Sequence, residues 1–515
     1  MSLPACRGLH GISPLRPKRA IGNVLAVTFR YAIQTFGCQM NVHDTDRMAG
    51  VLRAAGGIAV EAVEQADLVV LNTCSVRERA EQKLRSEVGK LAPLKRARPD
   101  MVIAVAGCVA QQEGESLLKR MRHIDLVIGP DNIAELPALA LEQWGGSPPV
   151  ARTEFDTAAP RFLTWAPREG QEAPVVAFVT TMKGWDERCS FCIVPYTRGP
   201  ERYRPAREVV NEVSRFVQAG SREVLLLGQT VDSFRDPALP PADPEDGLDG
   251  SQFPELLRLI AREIPRYRRQ PSRAPGLARL RYTRPHPRHA TASLARAHAE
   301  LDVLAGHVHL PVQSGSDRVL RRMIRRYTRS EYLARVDRLK CSRPNLTVST
   351  DIIVGFPGET EDDFEETLSL VREVAFVSLY AFKYSPRPHT PALRLGDDVP
   401  EAVKSERLAR LFEVADVLSQ KHLSGLVGTR QHVLVEGASK SEKGDLSRGR
   451  VQGRTERSEI VHIQAPGAAA LVGEVVEVDI TRANKHSLLA VPTEPIDSLP
   501  APRPKLDGAR RLPLW

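Results

Sequence analysis

Three cysteines constrain this 515-residue chain more than any other feature, because each stands just past an apolar run that reads as a buried strand. The runs are residues 31–36, 67–72 and 101–106, and the cysteines are Cys38, Cys74 and Cys108. Helical stretches, such as residues 44–55 and 76–91, follow the runs. Strand–helix alternation with short connections predicts a parallel α/β sheet of flavodoxin-like type over residues 30–147. In such a sheet the carboxyl ends of neighbouring strands open onto one crevice, so thiols distant in sequence converge. Gly37 and Gly107 let the backbone turn tightly before two of the cysteines. Three thiolates suit a four-iron cluster whose fourth iron stays open. Zinc bound by three thiolates and water is the competing metal reading, and three separately buried structural cysteines is the plain one.

A chain this long exceeds what one hydrophobic core supports, so roughly three or four domains are expected. A Pro-rich stretch over residues 148–174 reads as a linker. A second alternation then begins, with strands expected at 175–180, 223–227, 280–282, 307–310, 347–354 and 377–382. Six strands alternating with helices predict a partial α/β barrel over residues 168–400. An acidic, Pro-rich stretch (236–250) and an arginine stretch beginning near Arg266 read as insertions. Short β-type segments at 431–436, 448–453, 460–463 and 473–480 predict a small OB-like barrel over residues 425–492. Residues 1–29 read as a disordered leader and 493–515 as a disordered tail.

Seven cysteines without a convincing signal peptide argue for metal binding or catalysis in a cytoplasmic protein, not for a disulfide framework. No apolar run approaches membrane-spanning length. The net charge of +9 favours an anionic partner, and eight arginines with no acid fall between residues 264 and 290. That stretch reads equally as a solvated insertion or as a polyanion contact. His286 with His289, and His307 with His309, have metal-like spacing, but hydrogen-bonding pocket residues are the better reading.

The run Cys189–Ser190–Phe191–Cys192–Ile193–Val194–Pro195–Tyr196–Thr197–Arg198–Gly199 resembles the cluster loop of the radical-SAM tRNA methylthiotransferases. That family's loop reads C-x-x-x-C-x-x-C, and its first cysteine falls on Trp185 here. The resemblance runs from about Arg30 to Val491 and includes Leu227–Gly228–Gln229–Thr230, the run from Leu310 to Asp317, the run from Asp351 to Thr360, and Phe382–Lys383–Tyr384–Ser385–Pro386–Arg387–Pro388. Residues 35–41 and 194–199 look most like the branch acting on isopentenyladenosine.

The resemblance implies a radical-SAM partial barrel, a C-terminal TRAM barrel and two 4Fe-4S clusters. One cluster would sit on Cys38, Cys74 and Cys108, the other on Cys189 and Cys192 with its third ligand missing at Trp185. It implies S-adenosylmethionine held near Gly228, Gln229, Gln313, Ser314, Asp351 and Gly355, with no catalytic residue beyond the clusters. The product would be the 2-methylthio derivative of the isopentenylated adenine next to the anticodon. Expected partners are the tRNA anticodon stem-loop, an electron donor such as flavodoxin or ferredoxin, and a sulfur donor. The protein is expected to be a monomer with no membrane association. Arg448, Arg450, Arg454, Arg482 and Lys485 are the expected RNA contacts of the barrel, to the backbone more than to stacked bases. Three readings stay open: an active methylthiotransferase, an impaired member that binds tRNA and only the N-terminal cluster, and a zinc-containing RNA-binding protein.

Overall fold

The computed structural model describes residues 28–75, 78–158, 160–165, 173–268, 274–439 and 449–494. The expected leader (but for its last two residues), most of the expected tail, and Arg448 lie outside the described residues. The chain divides into two compact units, residues 1–154 and 155–515.

Six parallel strands build the first unit: β1 (Phe29–Phe36), β2 (Gly57–Ala59), β3 (Leu68–Thr73), β4 (Val102–Gly107), β5 (Leu126–Ile128) and β6 (Val150–Arg152). Their order is β2-β1-β3-β4-β5-β6, all parallel. The flavodoxin-like expectation is met, with the order reversing between β1 and β3. Every residue of β3 and β4 is buried, as for central strands covered on both faces. Helices α1 (Gln39–Ala54) and α2 (Glu78–Ala97) follow β1 and β3, and α3 (Cys108–Glu113) follows β4. Val69, Leu71, Ile103 and Val105 pack with Leu84, Val88 and Leu91 in one core. The short strands β2, β5 and β6 have no counterpart among the expected strands. At three residues each, they are too brief for a periodic signal.

In the second unit six parallel strands fall into two three-stranded sheets. One is β9-β8-β7, from β7 (Val176–Thr180), β8 (Glu223–Leu227) and β9 (Arg279–Tyr282). The other is β10-β11-β12, from β10 (His307–His309), β11 (Thr347–Val354) and β12 (Ser378–Lys383). A parallel bridge between Leu280 and Leu304 leads from the first sheet toward the second. Six strands in chain order make a partial barrel, as expected. Val224, Leu226, Leu280, Val308, Val348 and Ile352 pack outward against helices α4 (Ala206–Gln218), α5 (Phe253–Glu263), α6 (Arg329–Ser342) and α7 (Glu361–Val374). Sequence starts α6 and α7 cleanly, since Thr328 with Glu331 and Thr360 with Asp363 form capping boxes.

The acidic stretch is not a loose insertion. Asp249 pairs with Arg288 and Arg335, and Asp243 with Arg296. The arginine stretch supplies β9 itself. Beyond α8 (Glu401–Ser424) five strands close a barrel in the order β13-β14-β15-β17-β16: β13 (Arg430–Ala438), β14 (Arg450–Thr455), β15 (Ile460–Gln464), β16 (Val475–Ala483) and β17 (Leu488–Pro492). The last strand has no counterpart among the four expected β segments.

Arg279 and Arg281 clamp this barrel onto the larger one. Arg279 donates to the carbonyls of Arg454 at 2.6 Å and His432 at 2.9 Å. Arg281 reaches the Thr455 carbonyl at 2.9 Å and Glu223 at 2.9 Å. Buried charges placed this way need their partners, so the small barrel is a fixed part of the unit.

Candidate functional site

Register brings the N-terminal cysteines together. Phe36 is paired with Thr73, and Thr73 with Gly107, so Cys38, Cys74 and Cys108 leave three adjacent strands at one level. Adjacent strand ends lie about 4.8 Å apart. All three cysteines are buried and none is in a disulfide. Gly107 has φ +93°, and a Cβ there would lie 2.4 Å from the Asn72 side chain and 2.5 Å from the Thr73 carbonyl. A Cβ at Gly37, φ +150°, would lie 2.5 Å from the Cys74 Cβ. Only glycine fits at either place.

Two residues that the sequence reading passed over complete this shell. Asn41 donates to Asn72 Oδ1 at 3.1 Å, and Asn72 donates back to the Asn41 carbonyl at 2.7 Å and to Thr45 at 2.9 Å. The Cys38 thiol donates to Asn41 Oδ1 at 3.3 Å. Both asparagines are fully buried; Asn41 closes residues 35–41 and Asn72 ends the apolar run 67–72. An amide inside an apolar strand such as 68–73 was the available signal. Among the described residues no three Cys, His, Asp or Glu side chains are gathered to hold a single metal ion. Three thiols on three neighbouring strand ends, with glycines clearing the space, fit a cluster that bridges them better than one tetrahedral ion.

The second cysteine pair sits past the carboxyl end of β7. Its loop is pinned at Ser190, whose N–H donates to the Met323 carbonyl at 2.9 Å and whose hydroxyl donates to the Arg322 carbonyl at 2.8 Å. Buried Arg325 donates to Cys189 Sγ at 3.3 Å. Burial, with Cys189 beside it, pushes the Cys192 thiol up to about 12. Trp185 stands half-buried in the same loop, its backbone N–H on the Gly199 carbonyl at 3.0 Å. Its indole Nε1 is buried without a hydrogen-bond partner, and its ring meets His286 edge-on at 6.2 Å. An indole carries a donor and no ligating lone pair. The loop therefore offers two thiols, which do not fit a cluster that needs three.

Around the loop the histidines are hydrogen-bonded pocket residues. His289 bonds Glu187 at 3.1 Å and the Asp249 carbonyl at 2.8 Å. Burial alone would lower its pKa, but the Glu187 bond and the nearby Asp232 raise it to about 9. Burial first, then Arg325, holds His286 well below its ordinary value. Burial lifts Asp232 to about 7. His307 bonds Thr347 and Ser349, each at 2.9 Å.

The six residues expected around S-adenosylmethionine separate on inspection. Gln229 has both amide atoms buried without a partner, a group made to meet a polar ligand. Gln313 holds φ +77° at the end of the strand-like bridge to Ile352. Asp351 lies inside β11 rather than at a strand end, 3.3 Å from His309. Gly228 and Gly355 sit where a side chain has no room, and Ser314 is enclosed. A Cβ at Gly228 would lie 2.8 Å from Met182, and one at Gly355 2.3 Å from Lys404. Ser314 is fully buried and receives the Ser316 N–H at 3.3 Å.

Among the expected RNA contacts, Arg454 turns toward Glu436 at 3.4 Å and the Ser458 carbonyl at 2.9 Å. Arg450 is half-buried and donates to Gln464 at 2.8 Å. Arg482 and Lys485 are exposed, Lys485 reaching Asp416 at 2.9 Å. Among the described residues no helix is long and apolar enough to cross a membrane.

Three family models match the chain: an uncharacterized protein family, UPF0004, over residues 30–129, the Radical SAM superfamily over 181–371, and the TRAM domain over 426–493. A protein of Sorangium cellulosum named tRNA-2-methylthio-N(6)-dimethylallyladenosine synthase is 62% identical over 485 residues, covering 92% of this chain and 95% of that protein. One of the same name from Bordetella petrii is 43% identical over 459 residues, covering 89% and 90%. Among solved structures, the radical S-adenosylmethionine methyltransferase TsrM of Kitasatospora setae aligns at TM-score 0.49 and 14% identity, over 79% of this chain and 80% of that one.

Proposed function

The chain belongs to the tRNA-2-methylthio-N(6)-dimethylallyladenosine synthase family, and on that premise we propose that it converts the isopentenylated adenine next to the anticodon of tRNA to its 2-methylthio form. The observation that carries this reading is the 62% identity across 92% of the chain. When bound, S-adenosylmethionine and the iron–sulfur clusters supply the radical, the sulfur and the methyl group. The chain's own residues bind, orient and shield. Cys38, Cys74 and Cys108 would hold one cluster, with Asn41 and Asn72 orienting Cys38 and the strand ends. Gln229 and Gln313 would face S-adenosylmethionine, with Asp351 below them. Arg482, Lys485 and Arg450 would meet tRNA phosphates, and the clamp at Arg279 and Arg281 would fix that surface relative to the barrel. A flavodoxin or ferredoxin would supply electrons and a separate donor the sulfur, to a cytoplasmic monomer whose regions divide at residues 30–147, 168–400 and 425–492.

Trp185 leaves retention at the Cys189–Cys192 loop as the weak point of this chain. A second reading, a member that binds tRNA but keeps only the N-terminal cluster, rests on that residue alone, and the relatives' names do not favour it. The relatives' names do not favour the zinc reading either. The test is anaerobic reconstitution with S-adenosylmethionine, a strong reductant and isopentenylated tRNA, followed by nucleoside analysis. The 2-methylthio nucleoside is expected from Trp185→Cys, and from this protein at a level lower by roughly a hundredfold. Its absence from both this protein and Trp185→Cys would overturn the reading.

A further inference from the structure

The inward face of the second sheet carries side chains that packing does not explain. Side chains alternate along a strand, and register partners in a parallel pair share a face. Outward, Val308, Val348, Ile352 and Val354 enter the helix-covered core. Inward, the register sets His309 beside Ser349, Asp351 beside Tyr380, and Ile353 beside Phe382. Tyr380 is 38% and Phe382 43% exposed, although both project from a barrel strand. On the facing sheet the inward Phe178 and Leu225 are 7% and 8% exposed, so the open wall is that of β12 alone. Among the described residues β12 and β7 are both sheet edges with no ladder between them.

The shelf is held from below and leads upward to the cysteine loop. His309 has both ring nitrogens committed, one to Ser349 at 2.9 Å and one to Asp351 at 3.3 Å. Its ring meets Tyr380 edge-on at 5.9 Å, so it acts as a wall that sets the tyrosine. At the upper end Ile353 packs with Phe356, Tyr384 and Phe191, the last lying between Cys189 and Cys192. The amino end of the barrel is covered by the small barrel through Arg279 and Arg281. A planar apolar group entering from the carboxyl end or past the β12 edge would thus lie on Tyr380 and Phe382, directly beneath the loop.

We infer that Tyr380 and Phe382 form the subsite for the dimethylallyl-bearing adenine of the tRNA substrate, and that His309, fixed by Asp351 and Ser349, positions Tyr380. The inference rests on the proposed function and adds to it the residues that read the hydrocarbon. Two adjacent exposed rings suit a flat base carrying a branched five-carbon chain, because each offers apolar area together with a face for stacking.

The test is binding of the full-length, anaerobically reconstituted protein to anticodon stem-loops that carry either N6-dimethylallyladenosine or adenosine. This protein should prefer the prenylated RNA by roughly tenfold or more, as apolar pockets discriminate hydrocarbon groups. Tyr380→Ala and Phe382→Ala should each cut that ratio below roughly threefold, while Phe382→Leu keeps most of it. His309→Gln, which retains polar reach, should lower the ratio less than Tyr380→Ala. Phe412→Ala, an exposed phenylalanine on α8, should change nothing. S-adenosylmethionine affinity is measured alongside. An unchanged ratio in folded Tyr380→Ala and Phe382→Ala would overturn the inference, as would loss of S-adenosylmethionine affinity with the ratio kept. No preference in the parent protein would also overturn it. The family reading would survive that result if Trp185→Cys prepared in the same way made 2-methylthio product, and would fail separately if it did not.

Discussion

The two cysteine sites are built in opposite ways. Cys38, Cys74 and Cys108 are 70 residues apart at the extremes and are brought level by the pairing of β1, β3 and β4, with an asparagine pair bonding across the strand ends. Cys189 and Cys192 come from one short loop, fastened through Ser190 and Arg325 to residues more than a hundred positions away. A site spread over a sheet inherits the rigidity of the sheet. A site confined to a loop depends on each position of the loop, and here Trp185 takes one of them. The contrast is between a triad secured by long-range register and a loop whose support is intact but which offers two thiols where the proposed cluster needs three.

Restoring the loop should have the largest effect. Trp185→Cys is expected to raise deoxyadenosine formation from S-adenosylmethionine by roughly a hundredfold, the upper end of what even outer-shell partners of a metal site command. Equal rates from both proteins would show that the loop tolerates the indole. Asn72→Ala should then damage the triad alone. It removes one bond each from the Asn41 amide, the Asn41 carbonyl and Thr45 in a buried setting, so stability should fall by about 1–3 kcal/mol. Iron retention after Cys189→Ala/Cys192→Ala should drop with it. A variant that keeps both would make the asparagine pair incidental.

A smaller effect separates the sites by pH. His289 supports the loop through Glu187, and its folded pKa of about 9 lies above the unfolded value of 6.5. The stability it contributes is fully present below pH 6.5 and is lost as pH rises through about 9. Stability of the apoprotein should therefore fall across that window by on the order of 1–3 kcal/mol, read as a falling thermal midpoint, and His289→Gln should flatten the trend. Smallest of all, Arg482→Ala and Lys485→Ala should each reduce the salt slope of tRNA binding by roughly one ion. Arg454→Ala should instead lower stability with the slope unchanged, since its charge is spent on Glu436. Loss of slope in Arg454→Ala alone would reverse that assignment.

Much of this arrangement was legible before the fold was known. Buried parallel strands announce themselves as unbroken apolar runs, which is why 347–354 matched β11 at both ends and 223–227 matched β8. The cysteines were found because each follows such a run. The three-residue strands β2, β5 and β6 went unseen while β10, equally short, was found in the run from His307 to Leu310, and β17 was missed where Leu488 to Pro492 ends in a proline. Asn41 and Asn72 stand beside the cysteines in the sequence, but their role depends on strands β1 and β3 being neighbours, which composition does not state. Arg454 looked like any other basic residue of the small barrel until β13 set Glu436 against it. Gly355 and Gly228 are expected at the cofactor because they flank strand ends; that Lys404 and Met182 leave no room for a side chain there shows only once the fold is built.

Iron and sulfide content, measured on three anaerobically reconstituted full-length proteins, tests the contrast most directly. The parent chain and Cys189→Ala/Cys192→Ala should each hold about four irons, on the triad, and Trp185→Cys about eight. Eight irons in the parent chain would contradict the account of the loop, and none in Cys189→Ala/Cys192→Ala would contradict the account of the triad.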